Sequence, residues 1–483
     1  MYACTVREAS ERVQGQLRVW FGGTSASGVP GLGAGRIERV VTDSGRVEPG
    51  SLFVALRGQQ RHGVQFVSAA AAGGAIGVLT DALPRDGEGE GEGSGFGVCG
   101  PDVIVVRDSL VALQRLASWN RQQSAALCVG VTGSVGKTTT RQMIHAVLGE
   151  QWSVLQSPAN YNNEIGVPLT LLELGPSHGA AVLELGAGRV GDIRFLCGLA
   201  HPEWGVITRV SACHLESFGD LSAVQATKQE LVEAIPGSGC VFLNADQAEV
   251  CAMSRATSAR VVYFGFQAEG SGRCALRGVE GGRIRFCSGA DEFEYEGGQQ
   301  LLLCAAAAVS VGREAGLSAR QIAAGLLRFR PDRGRGRLLT AGSWRILDET
   351  YNCSPASALA CLRALGDWSG GRRILVLGDM LELGPEGRRL HREVAAALVG
   401  SAVDVAVFCG DFAVECVEAA AAAGFLRGQL HAVADNAELQ GVLAGVLQSG
   451  DLVCVKGSRR LRLEQTVDWL LRVGGGAADQ LMP

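Results

Sequence analysis

An apolar stretch beginning at Leu127 runs into Thr132-Gly133-Ser134-Val135-Gly136-Lys137-Thr138, and this is the segment best suited to holding phosphate. Its two glycines let backbone N–H groups approach phosphate oxygens, Lys137 reaches β- and γ-phosphates, and the Thr138 hydroxyl suits Mg²⁺. A helix starting at this turn directs its positive end at the same anion. The common P-loop spacing places a further glycine five residues before Gly136, where this chain has Val131, so the loop is a shortened form. The bland alternative is a glycine-rich turn with an incidental lysine. Strand and helix patterns on either side favour nucleotide binding.

Other candidates are scattered along the chain. Ala181-Val-Leu-Glu184-Leu-Gly-Ala-Gly188 ends a strand in a carboxylate. Ligands of parallel sheets sit beyond the carboxyl ends of strands, so Glu184 suits a Mg²⁺ ligand; a solvated strand-end glutamate is the alternative. Residues 157–168 hold Asn160, Asn162 and Asn163, whose amides could orient phosphate and acyl oxygens or merely satisfy their own turn. Taken singly, His214 reads as a packed histidine and Lys228, on a helical stretch, as a solvated lysine. The arginine-rich residues 328–337 read as a solvated interdomain linker or as a place where an arginine meets phosphate.

These residues need elements to position them. A chain of 483 residues exceeds what one core usually serves. Strand patterns at 39–42 and 51–56 with a helical run at 66–72 predict a small α/β domain over 1–124. Within it, the Gly/Glu-rich 85–100 reads as a flexible loop. Short apolar strands at 127–131, 180–185, 205–208 and 240–243 alternate with helical stretches, which predicts a central parallel-sheet ATPase domain over 125–337. A second alternation, with strands at 344–347, 373–377, 403–408 and 451–455, predicts a Rossmann-like α/β domain over 338–483.

Composition bounds the rest. Charged residues interrupt every long apolar run, so no membrane insertion is expected. The first ten residues lack the basic-then-apolar order of a secretory signal, which makes a cytoplasmic location the expectation. Fifteen scattered cysteines without a C-x-x-C pair argue against disulfides or zinc and for buried thiols. A net charge of -5 offers no general basic field, so no nucleic-acid partner is expected.

Taken in order, several motifs resemble the Mur ligase family: Asn160-Tyr-Asn-Asn-Glu-Ile-Gly-Val-Pro168, His214-Leu-Glu-Ser-Phe-Gly219, Tyr351-Asn352-Cys-Ser-Pro355, Leu377-Gly-Asp-Met-Leu-Glu-Leu-Gly384 and Val455-Lys-Gly-Ser-Arg459. These ATP-dependent enzymes form an amide bond during peptidoglycan-precursor synthesis. The match is narrowest to the type that adds D-alanyl-D-alanine to UDP-N-acetylmuramoyl-tripeptide. Thr42-Asp-Ser-Gly-Arg-Val and Pro49-Gly-Ser-Leu-Phe-Val-Ala-Leu-Arg-Gly58 extend it to the first domain, so it covers nearly the whole chain.

The resemblance implies a set of roles. ATP would meet Thr132, Gly133, Ser134, Val135, Gly136, Lys137, Thr138, Arg337 and Glu349, the last standing where the family usually has an aspartate at the ribose. Two Mg²⁺ would be held by Thr138, Glu184, His214 and Lys228, the lysine carbamylated by CO₂. Lys137, Asn163, His214 and Lys228 would serve catalysis, and Ser44 and Arg46 the UDP end of the substrate. A monomer working on small-molecule substrates is implied, with closure about residues 328–337 excluding water. Departures from the family pattern are Gln299, Gln300 and Leu303 at the adenine contact, Ser354, Gly188-Arg189, and Gly45 in the first domain. A ligase with another acceptor and a non-catalytic nucleotide-binding scaffold are the competing readings.

Overall fold

The computed structural model describes residues 1–21, 24–26, 32–58, 61–83, 100–212, 215–280, 282–366, 368 and 371–475. His214 and most of the Gly/Glu-rich 85–100 lie outside the described residues. The architecture is α/β, built on three six-stranded sheets that follow one another along the chain.

In the first sheet the order is Thr24–Ala26, Gln16–Phe21, Asp102–Val105, Gly77–Thr80, Ser51–Ala55, Arg39–Val41, the last four strands running parallel. The second has the order Val154–Gln156, Ala180–Glu184, Leu127–Thr132, Trp204–Ile207, Cys240–Asn244, Arg260–Phe264. Ala180–Glu184 and Cys240–Asn244 are buried at every position, as strands covered by helices on both faces must be. A small antiparallel sheet, Cys274–Glu280, Arg283–Ser288 and Asp291–Glu296, follows and has no counterpart in the sequence expectations.

The last sheet runs in the order Arg337–Ala341, Trp344–Glu349, Leu452–Lys456, Arg373–Gly378, Val405–Cys409, Leu430–Val433, and only its first pair is antiparallel. Alternate residues of its strands feed two cores. Leu375 and Leu377 pack with helices Pro355–Gly366, Gly387–Ala396 and Ala413–Ala423, while Ile374 and Val376 pack with Asn436–Val446 and Glu464–Val473. The sheet is therefore doubly wound. Its chain leaves Trp344–Glu349, skips one position and returns last to fill it with Leu452–Lys456, creating a switch point beside those strands.

Contacts divide the chain into two compact units. One comprises Met1–Gly130, Trp152–Gly186 and Ile193–Glu203; the other comprises Val131–Gln151, Ala187–Asp192 and Trp204–Pro483. In the first, buried Asn120 donates to the Leu171 and Leu174 carbonyls at 2.7 and 2.8 Å. Arg121, also buried, forks onto Glu203 at 2.7 and 2.9 Å. The arginine-rich residues 328–337 lie wholly inside the second unit, with Arg328 paired to Glu150, Arg330 to Glu296 and Arg333 to Asp468. Every described cysteine is a free thiol and all but Cys251 are buried, as their scattered placement predicts. No described helix is long and apolar enough to cross a membrane.

Candidate active site

The phosphate loop occupies the turn between strand Leu127–Thr132 and helix Lys137–Leu148, which starts one residue after Gly136. Gly133 (φ +147°) and Gly136 (φ +87°) adopt conformations that side chains rarely allow. A Cβ on Gly133 would run into the Thr208 hydroxyl, so the loop packs directly on residues 208–211. That segment grips it. Thr208 Oγ1 donates to the Val135 carbonyl at 2.7 Å, Ser134 N donates to the Arg209 carbonyl at 2.6 Å, and Ser134 and Ser211 exchange two bonds of 3.0 Å. The Gln247 amide bonds both backbone groups of Val210 at 2.9 Å, and Asn244 donates to the Thr208 carbonyl at 2.8 Å. Lys137 arches over its own loop, donating to the Gly133 carbonyl at 2.8 Å, and Thr138 is buried. Pre-set loop geometry of this kind spares an incoming anion the cost of ordering it.

A second cluster in the same unit surrounds Glu349, which stands in register with Lys456 on the neighbouring parallel strand. Lys456 Nζ lies 3.4 Å from Glu349 Oε2 and donates to the Asn352 carbonyl at 2.9 Å. Burial opposes the charge on Lys456, but Glu349 and the surrounding thiols outweigh it and hold its pKa above the ordinary lysine value. Gln300 Nε2 donates to Glu349 Oε1 at 2.6 Å. A Cβ on Gly336 (φ +86°) would come within 2.9 Å of that amide, so the residue before Arg337 has to be glycine. Thus Gln300, at one of the positions where the family pattern is broken, commits its amide nitrogen to Glu349, while Leu303 is half-buried. Four residues on, Cys304 Sγ lies 3.7 Å from the Gly136 carbonyl, which ties the Glu349 cluster to the phosphate loop. Burial pushes that thiol up to about 11, so it is a neutral packing group.

Lys228 is 2% exposed on helix Leu221–Ala234, with its ammonium 5.9 Å from the Phe218 ring centroid. The solvated-lysine expectation is therefore corrected. Val224, Thr227, Lys228 and Leu231 share the buried stripe, and buried Glu230 accepts from Gly191 N at 2.7 Å. Among the described residues no group of three or more His, Cys, Asp and Glu is placed to hold a metal.

Arg337 opens strand Arg337–Ala341 in the second unit, and the first unit holds Glu184, Asn163, Ser44 and Arg46. Glu184 is 3% exposed, which removes the solvated strand-end reading; it accepts from Asn162 Nδ2 at 2.9 Å, and its own N–H donates to Ser157 Oγ at 3.1 Å. Asn163 is exposed and spends Oδ1 on the Ile165 and Gly166 N–H groups, at 3.3 and 2.9 Å, at the start of helix Gly166–Glu173. The asparagine that engages the carboxylate is Asn162. Ser44 and Arg46 form a short turn Ser44–Arg46 capped by Asp43, beyond the carboxyl end of strand Arg39–Val41.

Residues 131–296 match the Mur ligase middle domain, and residues 334–459 match the Mur ligase glutamate ligase domain. The UDP-N-acetylmuramoyl-tripeptide--D-alanyl-D-alanine ligase of Synechocystis sp. is 34% identical over 448 residues, which cover 90% of this chain and 92% of the relative. The chain belongs to the Mur ligase family, in its MurF branch. The Escherichia coli ligase of the same name is 32% identical, covering 76% of this chain and 80% of that protein. A crystal structure of MurF from Acinetobacter baumannii superposes with a TM-score of 0.82 at 25% identity, over 97% of this chain and 99% of that one. MurF from Thermotoga maritima in complex with ADP gives a TM-score of 0.75 at 26% identity, over 90% and 98% of the two chains.

In this Mur ligase the phosphate loop is legible in the sequence but its clamp is not, because Thr208, Ser211, Asn244 and Gln247 are ordinary polar residues far away in sequence. The Val455-Lys456-Gly-Ser-Arg459 motif is legible too, whereas the pairing of Lys456 with Glu349 is not.

Proposed function

We propose that this Mur ligase joins the amine of D-alanyl-D-alanine to the terminal carboxylate of UDP-N-acetylmuramoyl-tripeptide, driven by ATP. The observation that carries this reading is a phosphate loop clamped onto residues 208–211, in a chain that aligns over 90% of its length with a ligase of that specificity. The ADP bound to the Thermotoga maritima relative supports the nucleotide.

The substrates set the mechanism. A carboxylate does not react with an amine at neutral pH, because oxide would have to leave. Its oxygen therefore attacks the γ-phosphorus of ATP and ADP departs; the amine then attacks the acyl carbon, loses a proton, and phosphate leaves. Lys137 Nζ exchanges the Gly133 carbonyl for β- and γ-phosphate oxygens, adding positive charge where the transferring group needs it. The 208–211 clamp keeps the loop from yielding as charge moves. Arg337, which follows Gly336, approaches the γ-phosphate, and Glu349, which accepts from Gln300, approaches the ribose. Ser44 and Arg46 meet the UDP end in residues 1–124, with the nucleotide domain at 125–337 and the C-terminal domain at 338–483.

The side chains present also fit Mg²⁺. Thr138 and Glu184 offer hard oxygen donors from buried positions, and Lys228, enclosed on an apolar stripe, becomes an oxygen donor on carbamylation by CO₂. Each of these residues, and His214, would serve as a ligand to Mg²⁺, which would neutralise charge on the phosphoryl group when bound. Asn163 lies one residue from the asparagine bonded to Glu184 and would assist from that loop. The enzyme works as a monomer in the cytoplasm on small molecules.

Phosphate release measured with ATP, UDP-N-acetylmuramoyl-tripeptide and a panel of amino acids and dipeptides tests this. Release confined to D-alanyl-D-alanine is expected. Release with a different acceptor would make the chain another ligase of the superfamily, and none with any acceptor would leave a nucleotide-binding scaffold.

A further inference from the structure

The switch point of the last sheet opens at the carboxyl ends of Trp344–Glu349 and Leu452–Lys456, where ligands of doubly wound sheets bind. One strand continues into Tyr351 and Asn352, the other into Gly457, Ser458 and Arg459. Two guanidinium groups lie over the Tyr351 ring, that of Arg335 at 3.5 Å from the centroid and that of Arg459 at 5.2 Å.

Both are held in place by backbone. Tyr351 N donates to the Gly334 carbonyl at 3.1 Å, Gly334 N donates to Asp348 Oδ2 at 2.8 Å, and Gly336 N donates to the Asp348 carbonyl at 2.8 Å. The turn that carries Arg335 is thereby stitched to the turn that carries Tyr351. On the other side, buried Ser458 donates its N–H to the Asp379 carbonyl at 3.1 Å and accepts from Leu381 N at 3.0 Å, which fixes the backbone before Arg459.

Their charges are not answered nearby. Arg330 and Arg333, on the same segment, pair with Glu296 and Asp468, but among the described residues no carboxylate lies within ion-pair distance of Arg335 or Arg459. Lys456 beneath is committed to Glu349 and Asn352. An arginine stacked on an aromatic ring uses its face and keeps its N–H edge available. Two guanidinium groups held at one ring offer N–H donors of the kind that pair with a planar carboxylate.

We propose that Arg335 and Arg459, aligned on Tyr351, bind the free carboxylate of the acceptor dipeptide and so set the position of its amine. This rests on the ligase reaction above. The nucleotide's phosphates already have Lys137 and the start of helix Lys137–Leu148, whereas the acceptor's carboxylate has no other assigned partner and must be fixed for the amine to approach the acyl carbon.

The test is steady-state kinetics of the full chain with D-alanyl-D-alanine and with its C-terminal amide. Arg335→Gln and Arg459→Gln are each expected to raise KM for the dipeptide on the order of tenfold while KM for ATP stays put. With the amide, which has no carboxylate to bind, wild type and variants should have similar kcat/KM. Arginines that read phosphate would instead raise KM for ATP and leave the dipeptide unaffected, and a merely structural pair would lose as much on the amide as on the dipeptide; either result overturns the proposal. Wild-type chain that releases no phosphate with any acceptor overturns the ligase reading itself. Arg459 is exposed and Arg335 half-exposed, so the variants should fold, with melting temperatures close to that of wild type.

Discussion

Lys456→Met removes a cation that is 2% exposed and lies 3.4 Å from Glu349 and 2.9 Å from the Asn352 carbonyl. Methionine nearly fills the same space, so the loss is electrostatic rather than a cavity. Removing one partner of a buried pair costs about 3–5 kcal/mol, because the other charge is left without compensation. Here Glu349 is half-buried and keeps the Gln300 donor, which places the loss at the lower end, about 3 kcal/mol. For a cooperative region of roughly 150–250 residues that lowers the melting temperature by about 6–12 °C. Calorimetry on the purified chain reads it directly. The double variant Glu349→Gln, Lys456→Met buries no charge and should regain most of the loss, since the two positions are coupled. A shift below about 2 °C for the single variant, or a double variant less stable than the single, would refute the reasoning.

Lys137→Ala should abolish phosphate release while leaving the melting temperature unchanged, and measurable turnover would remove Lys137 from the phosphoryl step. Lys228→Ala should lower turnover and regain part of it with added short-chain carboxylates; full activity without them would sink the carbamate assignment. His391 is buried, takes the Met380 N–H on Nε2 at 2.8 Å and lies 2.7 Å from the Gly387 carbonyl through Nδ1. Burial lowers its pKa below the ordinary 6.5, against the smaller opposing pull of Gly387 and Asp379. Between 6.5 and that lower value the unfolded chain holds more protons than the folded one, so stability is full above 6.5 and falls as pH drops through the window. Thermal melts of His391→Gln should lose less between pH 7 and pH 5 than wild type; identical profiles would show that His391 does not titrate with unfolding.

Much of this was legible in the sequence. Ala180–Glu184 and Cys240–Asn244 announced themselves as continuous apolar runs, and the glycines at 133 and 136 marked a turn that few other residues could make. The small antiparallel sheet was not legible, because its strands mix polar and apolar residues on a half-exposed surface and Cys274–Glu280 carries an irregular register between Leu276 and Gly278. Lys228 taken singly reads as a solvated lysine, although its helical spacing from Val224 and Leu231 puts it on the buried stripe. The choice of Asn162 over Asn163 as the partner of Glu184 depends on which side chain the turn directs inward, and no residue type encodes that. The clamp on the phosphate loop joins residues more than seventy positions apart, beyond the reach of any local pattern.

The most direct test of the central claim follows one oxygen atom. UDP-N-acetylmuramoyl-tripeptide labelled with ¹⁸O in its terminal carboxylate, turned over with ATP and D-alanyl-D-alanine, should deliver one labelled oxygen to the released phosphate, since that oxygen attacks the γ-phosphorus. Phosphate released without label would contradict carboxylate activation and with it the account of this site.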